Sequence, residues 1–312
     1  MITKMQITVV VNPRSGRGTA KAAAQTLQDE LGRRSHDVHM VETGANTQID
    51  QAELQSQIED SDRVVIIGGD GTVHHMLPIL TQVETPMYHL GTGTANLICK
   101  EFGMSQSALQ VVGHLESDFT PTVVDVPSCN GVPFLIMVSL GIDASVIHRL
   151  EETRKLKGGY RAYFSPILSE ICSPRPARYE VCCSTDTADP PYRETGILVI
   201  ANLRSYGGRF NPCPSANPGD GLLDAVSFAC RTSIGSGIGF GLLRLGITPK
   251  RAKRFAAESF TITSKGNAFV QIDGEKASFV PGLHDGRLET GDTLQIAMNG
   301  HHIRLYAPET MR

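Results

Sequence analysis

The sequence predicts a two-part chain: an amino-terminal α/β domain with a parallel sheet, followed by a second domain that is mainly antiparallel and β-rich. Three observations carry this. Up to Gly103, short continuous runs of β-branched residues alternate with segments of helical periodicity, the pattern of buried parallel strands and their crossover helices. Three of those strand runs exit into turns rich in glycine and hydroxyl groups. From about residue 120 onward, strand-like runs are joined mostly by turns rather than by helices.

The first strand is Ile7–Val11, closed by the turn residues Asn12-Pro13-Arg14-Ser15-Gly16-Arg17-Gly18. Ala20, Ala23, Ala24, Leu27 and Leu31 then mark one side of a helix, with Gly32 as its stop. Asp37–Thr43 reads as a second strand, Asn46–Ile58 as a second helix, and Val64–Ile67 as a third strand. Gly68-Gly69-Asp70-Gly71-Thr72 follows, then an apolar stretch from Val73 to Leu80 that opens a helix, with Thr72 as a candidate cap. Met87–Leu90 is a fourth strand, and it exits into Gly91-Thr92-Gly93-Thr94-Ala95-Asn96 and another helix that stops near Gly103.

In an open α/β sheet, ligands bind at the carboxyl ends of the strands, where these loops gather. Three glycines within four positions at Gly68–Gly71 let backbone approach a ligand closely, and a helix N-terminus favours an anion. Asp70 is the odd member. Its carboxylate repels a phosphate unless a divalent cation lies between them, so the turn reads as a metal–nucleotide site. The competing reading is an ordinary glycine-rich strand-to-helix turn. Neither a Walker A sequence nor a strict G-x-G-x-x-G after the first strand is present, which excludes those two nucleotide-binding types.

In the second half, Thr122–Val126 and Phe134–Val138 flank an Asn130-Gly131 turn, a hairpin signal. Further strands are expected at Arg178–Cys183, Gly196–Ala201, Leu222–Phe228, Ser259–Thr263, Ala268–Ile272 and Thr293–Met298, with helical stretches at about 143–172 and 237–257. The domains expected are 1–122, 123–300, and a segment 301–312 for which packing back on the first domain is one arrangement. Asp125 and Asp143 read as helix caps or strand-end carboxylates.

The chain has 312 residues and a net charge of -3, with a pI near 6.4, which argues against binding nucleic acid by bulk charge. No apolar run reaches the ~18 residues a transmembrane helix needs, and no opening stretch reads as a signal peptide. Any membrane contact is therefore expected to be peripheral. Seven cysteines without C-x-x-C spacing read as thiols in a reducing cytoplasm. The adjacent pairs His74-His75 and His301-His302 point apart on a helix or strand and make poor metal sites.

Six motifs in order carry a resemblance: Asn12–Gly16, Gly68–Thr72, Gly91–Asn96, Ser139-Leu140-Gly141-Ile142-Asp143-Ala144, Asp220-Gly221-Leu222-Leu223-Asp224, and Asp273-Gly274-Glu275. Over nearly its whole length the chain resembles the diacylglycerol kinase catalytic-domain family, which includes bacterial lipid kinases and is related to sphingosine and ceramide kinases. The resemblance implies an NAD kinase/diacylglycerol kinase-like α/β domain, a β-sandwich-like lipid domain and a cleft between them. It implies ATP and Mg²⁺ as cofactors. Asn12, Pro13, Arg14, Ser15, Gly16, Thr43, Gly68, Gly69, Asp70, Gly71, Thr72, Val73, His74, Thr94 and Asn96 would hold the nucleotide, with Asp143 near it. Asp220 would give a carboxylate, and Asn217 and Leu222 backbone carbonyls, to a structural magnesium. Glu275 would be the general base, and Asp70 would orient the metal or the attacking hydroxyl. The implied activity is ATP-dependent phosphorylation of a primary hydroxyl on a lipid such as diacylglycerol, ceramide or a sphingoid base, in phospholipid metabolism.

On spacing alone, Asp273-Gly274-Glu275 is a plain hairpin turn, and Asp220-Gly221 is also a turn. Three positions depart from the family pattern. His75 replaces a carboxylate, Leu97 stands where an Asp is usual, and Lys100 stands where an Arg often follows, so two acidic groups are missing near the nucleotide. The implied partner is lipid at a membrane surface, with a cytoplasmic, peripherally associated protein and a homodimer left open. Two basic stretches, 154–157 and 244–254, are either membrane-facing or simply solvated. The competing functions are an NAD kinase-like enzyme, which shares a Gly-Gly-Asp-Gly turn, and a non-catalytic nucleotide or lipid sensor.

Overall fold

A computed structural model describes residues 3–44, 50–118, 120–153, 169, 175–184, 191–206, 211–230 and 252–308. Two compact units emerge: residues Met1–Val124 with His301–Arg312, and residues Asp125–Gly300.

The first unit is an α/β layer structure. Its elements are β1 (Gln6–Val11), α1 (Thr19–Arg33), β2 (Asp37–Glu42), α2 (Gln51–Glu59), β3 (Arg63–Gly68), α3 (Asp70–Leu80), β4 (Met87–Gly91), α4 (Leu97–Glu101), α5 (Ala108–Leu115) and β5 (Thr122–Asp125). The strands form one sheet in the order β2-β1-β3-β4, then His302–Leu305, then β5. The pairs β1–β2, β1–β3 and β3–β4 are parallel. Val9, Val10, Val64, Val65, Ile66, Ile67 and Leu90 are fully buried, as their β-branched and aliphatic side chains require of strands covered on both faces. Ala20, Ala24, Leu27 and Leu31 form the buried stripe of α1. Gly32 does not stop that helix, which continues to Arg33, and the backbone turns into the left-handed region at Ser35, φ 67°. The second helix begins at Gln51 because the Asp50 carboxylate accepts from the backbone N–H groups of Ala52 and Glu53; the expected earlier start at 46–49 lies outside the described residues.

The second unit is antiparallel. Its strands are β6 (Ser128–Cys129), β7 (Val132–Pro133), β8 (Met137–Leu140), β9 (Ala177–Cys183), β10 (Tyr192–Ala201), β11 (Leu223–Ala229), β12 (Lys253–Ala257), β13 (Ser259–Ser264), β14 (Ala268–Ile272), β15 (Glu275–Lys276), β16 (Arg287–Leu288) and β17 (Thr293–Ala297), and one helix, α6 (Ile142–Thr153), is described among them. The strand path is β15-β14-β8-β10-β9-β13-β17-β6-β7, with β11 on β10, β12 on β11 and β16 on β14. The alternation along Ala177–Cys183, buried at every second residue, directs Ala177, Tyr179, Val181 and Cys183 into one apolar core with Leu198, Ile200, Val270 and Ile272. The parallel-then-antiparallel architecture matches the sequence expectation.

Two expectations are corrected here. The Asn130-Gly131 turn is real, with φ 46° and 83°, but it joins β6 to β7. Thr122–Asp125 joins the first unit's sheet instead, and Met137–Leu140 pairs with β10 and β14. Lys253–Ala257, expected as the end of a helix, is a strand paired with β11. Residues 237–251 of the helical stretch expected there, and the remainder of the 143–172 stretch after Thr153 apart from residue 169, fall outside the described residues, as do the basic stretch 154–157 and 244–251 of the other.

Candidate active site

In the first unit, β1, β3 and β4 are neighbours, so their exit loops are brought side by side. Asn12 begins the first loop. Its N–H donates to Ile67 O at 2.9 Å and its Oδ1 accepts from Arg14 N–H at 3.1 Å, while its Nδ2 donates to Thr72 Oγ1 at 3.4 Å. Thr92 Oγ1 donates to Ser15 Oγ at 2.9 Å, and Thr92 N–H donates to Gly68 O at 2.7 Å. The first loop is thereby tied to both of the others.

The glycines permit this closeness. A Cβ on Gly93 would stand 2.7 Å from Gly69 Cα, and one on Gly16 would stand 2.5 Å from Thr92 O. Gly16 also has φ 59°. Gly69 occupies the cap position of α3, in extended backbone, so Asp70 is the first helical residue. Thr72 is buried inside the helix and is not its cap. Val73 and His74 are buried along the same helix; Arg14 and Thr94 are exposed. Thr43 stands at the end of β2, its N–H donating to Val11 O at 2.8 Å.

Asp70 faces the next loop. Its Oδ1 accepts from Ile98 N–H at 3.2 Å, near the start of α4. Beneath the turn, the buried His89 places Nε2 3.2 Å from Gly68 O and Nδ1 3.4 Å from Cys99 Sγ. A carbonyl only accepts, so Nε2 carries the proton. Burial pulls the His89 imidazole below its usual value, against the nearby Asp70 charge, and pushes the Cys99 thiol up to about 12. Both groups are neutral supports of the turn at physiological pH.

In the second unit, Asp273-Gly274 is the two-residue turn joining β14 to β15, with φ 51° and 83° and Ile272 paired to Glu275. This is the hairpin geometry that Asp-Gly favours. The turn is also heavily anchored. The Asp273 carboxylate accepts from Leu135 N–H at 2.9 Å, Ile136 N–H at 2.8 Å and Met137 N–H at 2.9 Å. Gln271 Oε1 accepts from Gly274 N–H at 2.7 Å. Gln271 Nε2 donates to Ser139 Oγ at 2.9 Å and lies 3.4 Å from Asp143 Oδ2. Ser139 Oγ donates to the same Asp143 oxygen, and the Tyr206 hydroxyl also bonds that carboxyl. Burial raises Asp143 above the ordinary aspartate range, against those three hydrogen bonds. Asp143 and the turn before Glu275 thus belong to one network.

Asn217, Asp220 and Leu222 form a separate loop of the second unit. Asp220 Oδ1 accepts from Leu222 N–H at 3.0 Å, and Asn217 Oδ1 accepts from Gly219 N–H at 3.3 Å. Gly221 N–H donates to Asp125 Oδ2 at 3.0 Å. Burial and the Asp220 charge raise Asp224 despite a hydrogen bond from Ser215. Carboxylate and carbonyl oxygens are the donor types a hard cation takes. Among the described residues, no group of three or more His, Cys, Asp or Glu side chains is placed to hold a metal ion. A cation here would therefore depend on backbone carbonyls beside the Asp220 carboxylate, and what fits one is the chemistry of that oxygen donor set.

Sequence reasoning quoted Thr92 and Ser139 within motifs but gave them no role, and it missed Gln271 and the anchoring role of Asp273. Gln271 and Ser139 were detectable as lone polar residues in the apolar runs Ala268–Ile272 and Met137–Leu140.

Known proteins share this plan. Residues 6–126 match the diacylglycerol kinase catalytic domain, and residues 136–297 match the YegS C-terminal NAD kinase beta sandwich-like domain. A diacylglycerol kinase of Mycobacterium tuberculosis (strain CDC 1551 / Oshkosh) is 28% identical over 224 residues, covering 70% of this chain and 72% of that protein. A Pseudomonas savastanoi pv. phaseolicola protein named "Probable lipid kinase YegS-like" is 31% identical over 169 residues, 52% of each chain. A crystal structure of a diacylglycerol kinase from Bacillus anthracis str. Sterne has the same fold, with a TM-score of 0.66 at 17% identity, covering 98% of both chains. With two domain matches in the expected order, together spanning most of its length, this chain belongs to the diacylglycerol kinase catalytic-domain family of lipid kinases.

Proposed function

We propose that this protein transfers the γ-phosphate of ATP to a primary hydroxyl of a lipid, with diacylglycerol the first candidate and ceramide or a sphingoid base the others. The observation that carries the nucleotide half is the mutual approach of three strand-exit loops, with Gly93 so close to Gly69 that a Cβ on Gly93 would stand 2.7 Å from the Gly69 Cα. Such loops offer backbone N–H groups at close range, and phosphoryl transfer depends more on positioning and charge neutralisation than on covalent help. Asn12–Gly16, Thr43, Gly68–His74, Thr94 and Asn96 are assigned to the nucleotide. Asp70, at the start of α3 with its carboxylate accepting from Ile98 N–H, would orient the metal or the attacking hydroxyl.

The Glu275 carboxylate, next to the anchored turn, takes the proton from the acceptor hydroxyl as its oxygen attacks. Asp143 belongs to the support of that turn. Magnesium would supply neutralisation of the phosphate charge when bound, and Asp220 with the carbonyls of Asn217 and Leu222 would hold a structural ion. Lipid at a membrane surface is the partner, met from the cytoplasmic side. No helix among the described residues is long and apolar enough to cross a membrane, which is compatible with peripheral contact.

The test is incubation with γ-labelled ATP, magnesium and a panel of lipids, followed by solvent extraction. Label is expected in one class of extracted lipid, and it should vanish in Glu275→Gln and in Asp70→Ala while circular dichroism stays native. Label entering NAD in the aqueous phase, or near-normal turnover by both variants, would overturn the assignment.

A further inference from the structure

Glu275 has neighbours that hold it at one remove. Gln271 sits opposite Lys276 and Glu275 opposite Ile272, so the side chains of Gln271 and Glu275 leave opposite faces of the hairpin. Gln271 reaches Glu275 through the intervening peptide. The Gly274 N–H can only donate, so the atom facing it at 2.7 Å is the Gln271 carbonyl oxygen, and the amide orientation is fixed. That leaves the Gln271 NH₂ to donate to Ser139 Oγ, whose own proton goes to Asp143. Every donor in the series points the same way, from Gly274 toward the Asp143 carboxyl, and hydrogen bonds aligned like this polarise one another.

No atom stands within 4 Å of a Cβ built on Gly274, so the turn is open on that side and leans on its hydrogen bonds. Asp273 holds the other half of the turn through three backbone donors on Leu135, Ile136 and Met137. Gln271 is itself buried, at 2% exposure, in a strand whose remaining residues are apolar. A lone amide in such a place is costly to bury unless its hydrogen bonds are made, and here the oxygen is used on the turn and the NH₂ on Ser139 and Asp143.

We propose that Gln271 is a positioning residue for the phosphoryl transfer: by accepting from the Gly274 N–H while tethered to Ser139 and Asp143, it aims the Glu275 carboxylate at the acceptor hydroxyl. This rests on the assignment of Glu275 as the proton acceptor. The contribution is geometric, and displacing a reacting group by about 1 Å can cost on the order of 100-fold in rate.

The experiment compares Gln271→Glu, Gln271→Met and Glu275→Gln in the lipid phosphorylation assay, with urea denaturation in parallel. Glutamate keeps an acceptor for Gly274 N–H but buries a carboxyl beside Asp143. Methionine keeps the volume, removes the acceptor and is the easier group to bury. Turnover is expected to rank Gln above Glu above Met, with Met down ~10- to 100-fold and the KM for ATP within about twofold of the parent. Stability is expected to rank Met above Glu. Opposed rankings are the signature, because a packing role would make turnover follow stability. Methionine within about twofold of parental kcat, or glutamate turning over more slowly than methionine, would overturn the role of Gln271 and leave Glu275 standing. An active Glu275→Gln would remove the assignment beneath it as well.

Discussion

Asp143 shows how one buried carboxyl can cost stability and still be kept. Its oxygens are ringed by Ser139, Gln271 and Tyr206, yet desolvation outweighs those donors and raises it above the usual aspartate value. The folded chain therefore keeps this proton to higher pH than the unfolded chain, which releases it near the ordinary value of about 3.9. Above that value the folded state binds more protons, so this group's contribution to stability declines as pH rises and levels off beyond the folded-state value. Asp143→Asn removes the titration. The variant is expected to melt above the parent at pH 8, with the gap closing as pH falls toward 4; each kcal/mol gained is worth about 2–4 °C in a chain of this size class. Thermal melts across that range check it, and a gap independent of pH would show that the aspartate carries no buried charge. The motif around Asp143 was legible in sequence. The burial behind its raised value was not, because Gln271 and Ser139 reach it from strands more than a hundred residues apart in sequence.

The loops at the ends of β1, β3 and β4 were the most legible elements, since each strand run is continuous and each exit is marked by glycine. What the sequence left out is which loops touch. Parallel neighbours β1, β3 and β4 decide that, and their order is a tertiary outcome. The Lys253–Ala257 strand was misread because the helical stretch was carried through to residue 257, when pairing with β11 decides its conformation. Local propensity yields to such pairing. The loop contact gives a sharp contrast between two glycines. A Cβ on Gly93 meets Gly69 backbone at 2.7 Å, so one turn must move. Gly113, exposed within α5, has open space around its Cβ position. Gly93→Ala is expected to weaken ATP binding ~10-fold or more and to destabilise, whereas Gly113→Ala should leave binding unchanged and stabilise by about 0.5–1 kcal/mol. Isothermal titration and urea denaturation read both, and unaltered ATP affinity in Gly93→Ala would detach that contact from the nucleotide.

At the scale of the whole chain, the first unit is discontinuous in sequence. Its sheet receives His302–Leu305 between β4 and β5, so the chain leaves at Val124 and returns after Gly300. The alternating burial of that strand could be read locally, but its destination could not, because the partners lie some 180 to 215 residues away. The return is deeply inserted. Ile303, Leu305 and Tyr306 are 1% exposed or less, Tyr306 N–H donates to Met87 O at 2.8 Å, and the Arg63 guanidinium stacks 4.2 Å from the Tyr306 ring centroid. Burying each such side chain is worth about 1.5–3 kcal/mol. Three together approach the roughly 5–15 kcal/mol that holds a whole domain. A chain stopped at Gly300 is therefore expected to lose amide protection throughout β1, β3 and β4 while β9, β10 and β13, whose pairing is confined to residues 137–297, keep theirs. Hydrogen exchange with peptide-level mass spectrometry separates the two sets. A synthetic peptide of residues 301–312 should restore protection to the first set alone, and native protection without it would mean that β4 and β5 close the sheet unaided.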